Sequence, residues 1–292
     1  MNNDPWKFDT QAIRAGSLQS EFGENSEAIF LTSSYVFDSS AQAAARFAGN
    51  EPGNIYSRFT NPTVTMFQDR LAALEGSEAC VATSSGMSAI LATIMGLCSA
   101  GEHIVASRSI FGTTVQLFSN ILKRWGLEVT FVSLTNLNEW EDAIQKNTKL
   151  FFAETPSNPR LAITNLAELG AIAVPFTVVD STFATPMSQQ PLAHGVNLSL
   201  HSATKGIGGH NDALLGVIAG EAELIDAIWA YSVLHGATAS PYDAHNALRG
   251  IRTLPVRHER QCASAMQLAA WCEQQAKCNK VYYPGLASHP QH

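Results

Sequence analysis

The chain is 292 residues long, with 18 Lys and Arg against 25 Asp and Glu, so its formal charge is −7. At about 150 residues per domain, this length allows roughly two domains with real cores and excludes a disulfide-stapled miniprotein. The acidic balance, with no basic block to offset it, argues against nucleic acid as a partner. Charged residues are only 15% and hydrophobic residues 46%, which favours an oligomer because a monomer would have little charge to cover its surface.

The sequence has no pattern typical of a membrane protein or of a metal-binding protein. The longest apolar stretch, Ala89–Ala100, is far short of the roughly 20 residues of a membrane span. The N-terminus MNNDPWKFDTQ lacks a signal-peptide core, so we expect a soluble protein that is not exported. Five cysteines form no CxxC pair, and their odd number favours a reducing compartment, with the cytoplasm as the default. The nine histidines show no metal-ligand spacing, so no metal site is expected.

Residues 1–60 form an irregular segment, rich in Ser, Asn and Gly, with one short helical pattern near Ala41–Phe47. We expect an arm that needs another surface to lie against. From about Glu78, short β-rich runs alternate with helical patterns, which predicts an α/β fold with a mostly parallel sheet covered on both faces. One predicted helix ends at Gly126, and its apolar face consists of Val115, Phe118, Ile121, Leu122 and Trp125. The predicted strands are 79–83, 103–107, 127–134, 150–154, 176–180 and 198–202.

Polar groups follow the predicted strands, at the edge of a parallel sheet where ligands bind. They comprise hydroxyls, a small-residue turn that opens a helix, an aromatic ring, an amide, one acid and one lysine. The segments are Ser84-Ser85-Gly86-Met87, Ser109-Ile110-Phe111-Gly112, Glu154-Thr155-Pro156-Ser157-Asn158-Pro159, Asp180-Ser181-Thr182 and Ser202-Ala203-Thr204-Lys205-Gly206. We expect these groups to converge on one ligand.

The ligand that fits this set is pyridoxal 5′-phosphate (PLP). The turn 84–86 suits a phosphate, because a helix N-terminus offers N–H groups, although the turn could equally be only an N-cap. Lys205, buried near an aromatic ring, would be a nucleophile able to form a Schiff base. Asp180 ends an apolar strand and needs a cationic partner, unless it caps a helix. A phosphate site, a Schiff-base lysine and a buried acid for a pyridinium nitrogen together indicate PLP.

Motifs spread over most of the chain make a specific set. They are YSRFTNPT (56–63), SSGMSAI (84–90), ETPSNP (154–159), VVDSTFATP (178–186), HSATK (201–205), LRGIRTLPVR (248–257) and YYPGLASHPQ (282–291). Together they resemble the Cys/Met-metabolism family of PLP-dependent enzymes. The resemblance implies a fold type I PLP-dependent transferase with an N-terminal arm (1–60), a PLP-binding α/β domain (61–248), and a linker helix with the start of an incomplete, truncated C-terminal domain (249–292).

The resemblance also implies a role for each matching residue. Lys205 would hold PLP as an internal aldimine, Asp180 would pair with the pyridine nitrogen, and Asn158 would lie near the phenolic oxygen. Phe111 stands where many relatives carry a tyrosine, so it would stack on the ring without transferring protons. The implied phosphate ligands are the backbone amides of Gly86 and Met87, the hydroxyls of Ser202 and Thr204, and, from a neighbouring subunit, Tyr56 and Arg58.

The chain departs from the family pattern in two places. The helix NLAELGAIA meets the strand VPFTVVD through a shorter crossover than relatives use. The chain also ends at His292, where the family's C-terminal domain is only beginning. That domain normally supplies an arginine for the substrate's α-carboxylate, a role that we do not transfer to Arg249 or Arg252. His201 and His210 flank the lysine segment and are interpreted as structural.

The implied reaction is γ-replacement on O-succinyl-L-homoserine with sulfide, which yields homocysteine for methionine biosynthesis by trans-sulfuration. The implied partner is a small amino-acid substrate, and the implied assembly is a homotetramer of dimers that share active sites. Alternatives within the family are a cystathionine γ-synthase or a cystathionine or methionine lyase. An alternative of another class is a catalytically inactive PLP-binding or interaction module, which would fail to turn over any O-acylhomoserine.

Overall fold

A computed structural model describes residues 6–292, so residues 1–5 of the predicted arm lie outside the described residues. Seven strands form one sheet: β1 (Ala79–Thr83), β2 (His103–Ser107), β3 (Glu128–Val132), β4 (Thr148–Glu154), β5 (Phe176–Asp180), β6 (Leu198–Ser202) and β7 (Gly216–Gly220). The order across the sheet is β1-β7-β6-β5-β4-β2-β3. Strand β7 runs antiparallel to both of its neighbours, and the other neighbouring pairs are parallel. The predicted mostly parallel sheet is confirmed.

Strand β7 was absent from the predicted strands, because the run GVIAG begins and ends with glycine, which weakens a strand pattern. The structure gives both glycines a packing reason. A Cβ atom at Gly216 would lie 2.2 Å from the carbonyl oxygen of Ser85, and one at Gly220 would lie 2.5 Å from Leu198 Cδ2. Glycine is therefore needed here for close approach of neighbouring backbone and side chains.

Helices cover both faces of the sheet. They are α1 (Phe8–Arg14), α2 (Ser40–Phe47), α3 (Pro62–Glu75), α4 (Gly86–Leu97), α5 (Gly112–Gln116), α6 (Leu137–Asp142), α7 (Leu166–Ala171), α8 (Thr185–Ser188), α9 (Ala222–His235), α10 (Pro241–Ile251) and α11 (Leu254–Glu273). Consecutive strand residues face opposite cores, since Phe152 packs in the core under α4 and α9 while Phe151 packs against Trp140 of α6. Helices α3 and α10 form a further core against β1 and β7.

The helix predicted to end at Gly126 is not a single α-helix. Helix α5 continues as a π-helical turn at Leu117–Ile121 and a 3₁₀ turn at Leu122–Trp125, and Gly126 ends it with φ +80°. Phe118 and Leu122 are buried as expected, whereas Trp125 is 41% exposed. The π turn and the 3₁₀ turn that follows it both depart from the α-helical repeat, so a spacing based on 3.6 residues per turn does not hold as far as Trp125.

The short crossover before β5 is made by the six-residue helix α7, which leaves four residues before Phe176. Gly170 permits this arrangement, because a Cβ atom there would lie 2.4 Å from the carbonyl oxygen of His194. Among residues 6–292, no helix combines the length and apolar character needed to cross a membrane. In the same range, no group of three or more His, Cys, Asp and Glu side chains is arranged to hold a metal ion.

A buried carboxylate attaches the N-terminal segment to the sheet domain. Glu27 accepts hydrogen bonds from Arg70 of α3, at 2.5 Å, and from Arg252 after α10. Arg70 is fully buried and also donates to the carbonyl oxygen of Ala15, at 2.8 Å. Burial alone would raise the pKa of Glu27, but the hydrogen bonds from Arg252 and Arg70 outweigh it and lower the pKa from 4.5 to about 2.

We expect Glu27→Gln to destabilise the protein by about 3–5 kcal/mol, because the buried Arg70 would lose its charged partner. The carboxylate has a lowered pKa in the folded state. Its contribution is therefore complete above pH 4.5 and is lost as the pH falls towards about 2. Urea unfolding at pH 7 and at pH 3.5 measures both effects, and Glu21→Gln, an exposed carboxylate in the same segment, is the control. Equal stability of the two variants at pH 7 would contradict this prediction.

Candidate active site

Lys205 lies in the turn directly after β6. Its backbone N–H donates to Ser202 O at 3.1 Å, and its carbonyl oxygen accepts from Gly209 N at 2.8 Å. The side chain is exposed to two adjoining cavities, rather than buried near an aromatic ring as the sequence suggested. Its amine makes no hydrogen bond or ion pair with any described residue, so it is free to react with a ligand.

The smaller cavity, of about 230 Å³, brings together nearly all of the residues that the sequence predicted. Its predicted lining residues are Gly86, Met87, Phe111, Asn158, Asp180, Ser202, Thr204 and Lys205. They come from the carboxyl ends of β1, β2, β4, β5 and β6. The parallel strands of the sheet therefore bring distant motifs to one edge, as the strand-end pattern predicted.

One wall of this cavity is the N-terminus of α4. Ser85 caps the helix in a capping box with Ser88, so the N-cap interpretation of this turn is correct. The cap still leaves the N–H groups of Gly86 and Met87 without intrahelical partners, as at any helix start. A Cβ atom at Gly86 would lie 2.8 Å from Ser202 Cβ, so only glycine lets this helix end approach the end of β6. The same turn can thus be both a cap and an anion site.

The two predicted hydroxyl ligands differ in their partners. Ser202 makes no side-chain hydrogen bond with the described residues, so its hydroxyl is available to a ligand. Thr204 Oγ1 donates to the carbonyl oxygen of Leu215 at 3.3 Å and accepts from Leu215 N at 3.1 Å. Thr204 would have to turn its proton away from Leu215 to donate to a phosphate.

Asp180 ends β5 as an acid without a cationic partner. Its Oδ1 accepts from Thr182 N at 3.0 Å and from Thr182 Oγ1 at 2.5 Å. These bonds close a turn and not a helix, because α8 begins only at Thr185. Oδ2 accepts no hydrogen bond from residues 6–292. Burial raises the pKa of Asp180, and the bonds from Thr182 oppose that effect.

Glu154, which the sequence analysis did not single out as a ligand residue, lies beside Asp180 in the same cavity. The two are paired in the parallel register of β4 and β5. Glu154 Oε2 accepts from Phe111 N at 2.5 Å, and Oε1 accepts from Asn158 N at 3.1 Å. Burial and then the charge of Asp180 raise the pKa of Glu154 to about 8. The signal that identified Asp180, an acid that ends an apolar strand, also applies to the strand LFFAE.

Tyr56 and Arg58 do not join this cavity within one chain. Arg58 Nη1 donates to the carbonyl oxygen of Val233 on α9 at 2.7 Å, and its guanidinium lies over the ring of Phe59. Tyr56 is 42% exposed. Their predicted role in a neighbouring subunit's site stays a prediction.

The two histidines beside the lysine segment do not line the smaller cavity. His201 is fully buried, and its Nε2 lies 2.6 Å from Glu75 Oε1 of α3. His210 Nδ1 donates to the carbonyl oxygen of Gly208 at 2.8 Å.

The smaller cavity fits PLP. It offers free helix N–H groups for a phosphate, an unpaired carboxylate oxygen for a protonated ring nitrogen, and an unpaired lysine amine for an aldehyde. The aromatic ring of Phe111, 45% exposed, lines the same cavity and can cover one face of a planar ligand. A larger cavity of about 700 Å³ shares Thr182, Phe183 and Lys205 with the smaller one.

Comparisons with known proteins agree with this geometry. A family model described as Cys/Met metabolism PLP-dependent enzyme matches residues 9–292. O-succinylhomoserine sulfhydrylase of Pseudomonas aeruginosa is 50% identical over 288 residues, covering 98% of this chain and 72% of that protein. L-methionine gamma-lyase of Fusobacterium nucleatum subsp. polymorphum is 41% identical over 298 residues, covering 100% and 75%.

A solved structure shares the fold and carries the cofactor. MetY from Campylobacter jejuni subsp. jejuni has a TM-score of 0.94 at 30% identity, covers 98% of this chain and 80% of its own, and contains N′-pyridoxyl-lysine-5′-monophosphate. The expected fold type I architecture, the enzyme class and the cofactor are thereby confirmed. The chain belongs to the Cys/Met metabolism family of PLP-dependent enzymes.

Proposed function

We propose that this protein uses PLP to exchange the succinate of O-succinyl-L-homoserine for sulfide, producing homocysteine. The observation that carries this proposal is the meeting of Lys205 and Asp180 in one cavity with the N-terminus of α4. The choice of reaction within the family is supported by the relative that is 50% identical, an O-succinylhomoserine sulfhydrylase. In the net reaction the Cγ–O bond of the ester breaks, a Cγ–S bond forms, and succinate leaves.

Each of the predicted residues that line the smaller cavity has a proposed task. Gly86 and Met87 bind the phosphate through their backbone N–H groups, with Ser202 and Thr204 adding hydroxyls. The free Oδ2 of Asp180 accepts a hydrogen bond from the protonated ring nitrogen. The proposed position of Asn158 is near the phenolic oxygen of PLP, and that of Phe111 is stacked on the PLP ring.

Bound PLP supplies an electron sink for the carbanion that forms when the substrate loses its α-proton. Lys205 Nζ would hold the cofactor and, when released by the substrate amine, would take the substrate's α-proton. Its exposure to both cavities suits this double task, because one amine must reach the cofactor and the incoming substrate. The larger cavity is the proposed entrance for the ester chain.

A relative at 41% identity favours a second candidate, the elimination reaction of an L-methionine gamma-lyase. Cystathionine γ-synthesis, with cysteine as donor, is a third. The cofactor residues are needed for all of these reactions, so only substrate and donor preference separate them. An inactive PLP-binding module would bind the cofactor and turn over none of these substrates.

We also infer an assembly in which Tyr56 and Arg58 complete the site of a second copy. Both belong to the 1–60 arm, which exposes Phe22, Leu31 and Val36 to solvent in the single chain. A homotetramer built from such dimers would cover these side chains.

Besides the 1–60 arm, the proposed parts of the chain are the PLP-binding domain, 61–248, and the linker helix with the start of a further domain, 249–292. All five cysteines are free thiols, which supports a reducing compartment such as the cytoplasm.

Borohydride reduction of the PLP-loaded protein should attach the cofactor to a single peptide, the one that contains Lys205. The reason is that Lys205 is the lysine that lines the cavity next to Asp180. Peptide mass mapping measures this, and Lys205→Ala should abolish the adduct while Lys123→Ala, in a 3₁₀ turn elsewhere, should keep it. A trapped peptide without Lys205 would contradict the assignment.

Mixed dimers test the shared site. Arg58→Ala should weaken PLP retention, because arginine makes forked contacts with phosphate. A dimer of one Arg58→Ala chain and one Lys205→Ala chain contains one site with both defects and one intact site. We therefore expect activity to reappear when the two inactive proteins are mixed and allowed to exchange subunits. Arg124→Ala, exposed in the 3₁₀ turn, should not lower retention. Mixtures that exchange subunits and stay inactive would rule out the shared site.

We propose sulfide as the sulfur donor because of Phe111. Its ring lacks the phenol hydroxyl of a tyrosine, which could exchange protons with a donor such as cysteine. Two nearby hydroxyls cannot easily replace it, because Thr182 donates to Asp180 and Thr204 to Leu215 O. Hydrosulfide is already nucleophilic and has no amine to deprotonate. In a competition assay with O-succinylhomoserine and equal concentrations of sulfide and cysteine, we expect more homocysteine than cystathionine to form. We expect Phe111→Tyr to raise the proportion of cystathionine among the products. An excess of cystathionine in the unaltered protein would instead indicate a cystathionine γ-synthase.

A further inference from the structure

The turn that follows Lys205 is held by a single arginine from a distant helix. Arg257, in the first turns of α11, donates from Nη1 to the carbonyl oxygen of Gly206 at 2.9 Å and from Nη2 to that of Ile207 at 3.2 Å. The same guanidinium donates to the carbonyl oxygen of Gly250 at 2.8 Å, and its Nε donates to Thr253 Oγ1 at 3.0 Å. One side chain thus joins the lysine turn to the end of α10 and the start of α11.

Glycines make this close approach possible. Gly209 has φ +74°, and a Cβ atom there would lie 2.2 Å from Arg257 Nη1. A Cβ atom at Gly250 would lie 2.1 Å from the carbonyl oxygen of Gly208. The guanidinium and α10 therefore pack directly on the backbone of the turn, where any larger residue would push them away.

Other hydrogen bonds in the turn act at different atoms. Its backbone bonds run from Lys205 N to Ser202 O at 3.1 Å, and from Gly208 N to Ala203 O and Gly209 N to Lys205 O, both at 2.8 Å. His210 Nδ1 donates to the carbonyl oxygen of Gly208, whereas those of Gly206 and Ile207 accept only from Arg257 among residues 6–292. The Lys205 amine has no partner among the described residues, so the backbone of the turn sets the point from which the side chain extends. Arg257 lines neither cavity, so it does not itself touch a ligand there.

We propose that Arg257 is a positioning residue that fixes the backbone from which Lys205 reaches PLP. The proposal rests on the proposed function in one respect, that Lys205 is the lysine that binds the cofactor. Arginine suits this task because its planar fork can serve several carbonyl oxygens at once, whereas a lysine ammonium is a point charge. The capture reaction joins Lys205 Nζ to the aldehyde carbon of PLP and releases one water.

The test compares Arg257→Met with Arg260→Met, which removes an exposed arginine from the same helix. Cofactor-free proteins are mixed with PLP, and the rate of covalent capture is followed by visible absorbance and by borohydride trapping. We expect capture by Arg257→Met to be about ten-fold slower, because the variant loses all four hydrogen bonds of the guanidinium and even one hydrogen bond to a charged group is worth about this factor. Arg260→Met should match the unaltered protein, and Arg257→Lys should lie between the two methionine variants.

Hydrogen exchange separates positioning from general stability. In the cofactor-free protein, Arg257→Met should speed exchange at the amides of Gly208 and Gly209 and leave those of the β5 core unchanged. Should Arg257→Met fail to fold, Thr253→Val removes the Nε acceptor, together with the hydrogen bond from Thr253 Oγ1 to the carbonyl oxygen of Gly250 at 3.2 Å. This variant should slow capture about two- to three-fold, the size expected for weakened hydrogen bonds of this kind.

Two results would overturn the proposal. One is capture by Arg257→Met at the rate of Arg260→Met. The other is slower capture together with faster exchange throughout the sheet, which would show a purely structural role. A wild-type adduct on a lysine other than Lys205 would refute the proposed function instead, so the two failures are distinguishable.

Discussion

The site depends on the parallel register of β4, β5 and β6, because that register brings the ends of three strands to one edge. It pairs Glu154 with Asp180 and Asp180 with Leu200, two residues before Ser202. A carboxyl group desolvated at such a place is costly unless a cation or a proton compensates it. Among residues 6–292, the carboxyl group of Asp180 accepts hydrogen bonds only from the neutral Thr182. The fold thus holds a buried acid that a cationic ligand group would stabilise.

Much of this site could be predicted because its residues follow strands that short stretches of sequence are enough to identify. A strand is recognised by its apolar run, and the residue that follows the run must lie at the sheet edge whatever the rest of the fold does. For this reason the sequence predicts that Lys205, Asp180, Asn158 and Phe111 lie at one edge of the sheet, and they line one cavity there. The N-terminal limit of α4 could be predicted for the same reason, since Ser85 caps it with its own side chain.

Apart from Glu154, which the local signal could have identified, the features that escaped prediction depend on contacts between distant segments. In the sequence, nothing distinguishes Arg257 from the other basic residues of its helix. Only the fold brings it to the carbonyl groups of Gly206 and Ile207. The strand that contains Gly216 looks like a loop until the approach of Ser85 O is seen. Trp125 left its predicted face because a π turn changed the helical repeat, which no apolar spacing reports.

The charges around the smaller cavity restrict what can bind there. One wall is the positive end of the α4 dipole, with free N–H groups at Gly86 and Met87. The carboxyl groups of Glu154 and Asp180 line the same cavity. The cavity therefore suits a ligand that carries both an anionic and a cationic group. PLP meets this requirement with its phosphate and its protonated ring.

Two opposing effects act on the charge of Glu154, which lies beside Asp180 in the smaller cavity. Both of its oxygens accept hydrogen bonds from backbone N–H groups, and these bonds favour the ionised form. Yet burial and the charge of Asp180 raise its pKa to about 8, which favours the proton. In the proposed site, a cationic ring beside Asp180 would offset that repulsion and favour the ionised form of Glu154. The hydrogen bonds from the backbone N–H groups of Phe111 and Asn158 would then be strengthened by the charge of the ligand that we propose these two residues contact.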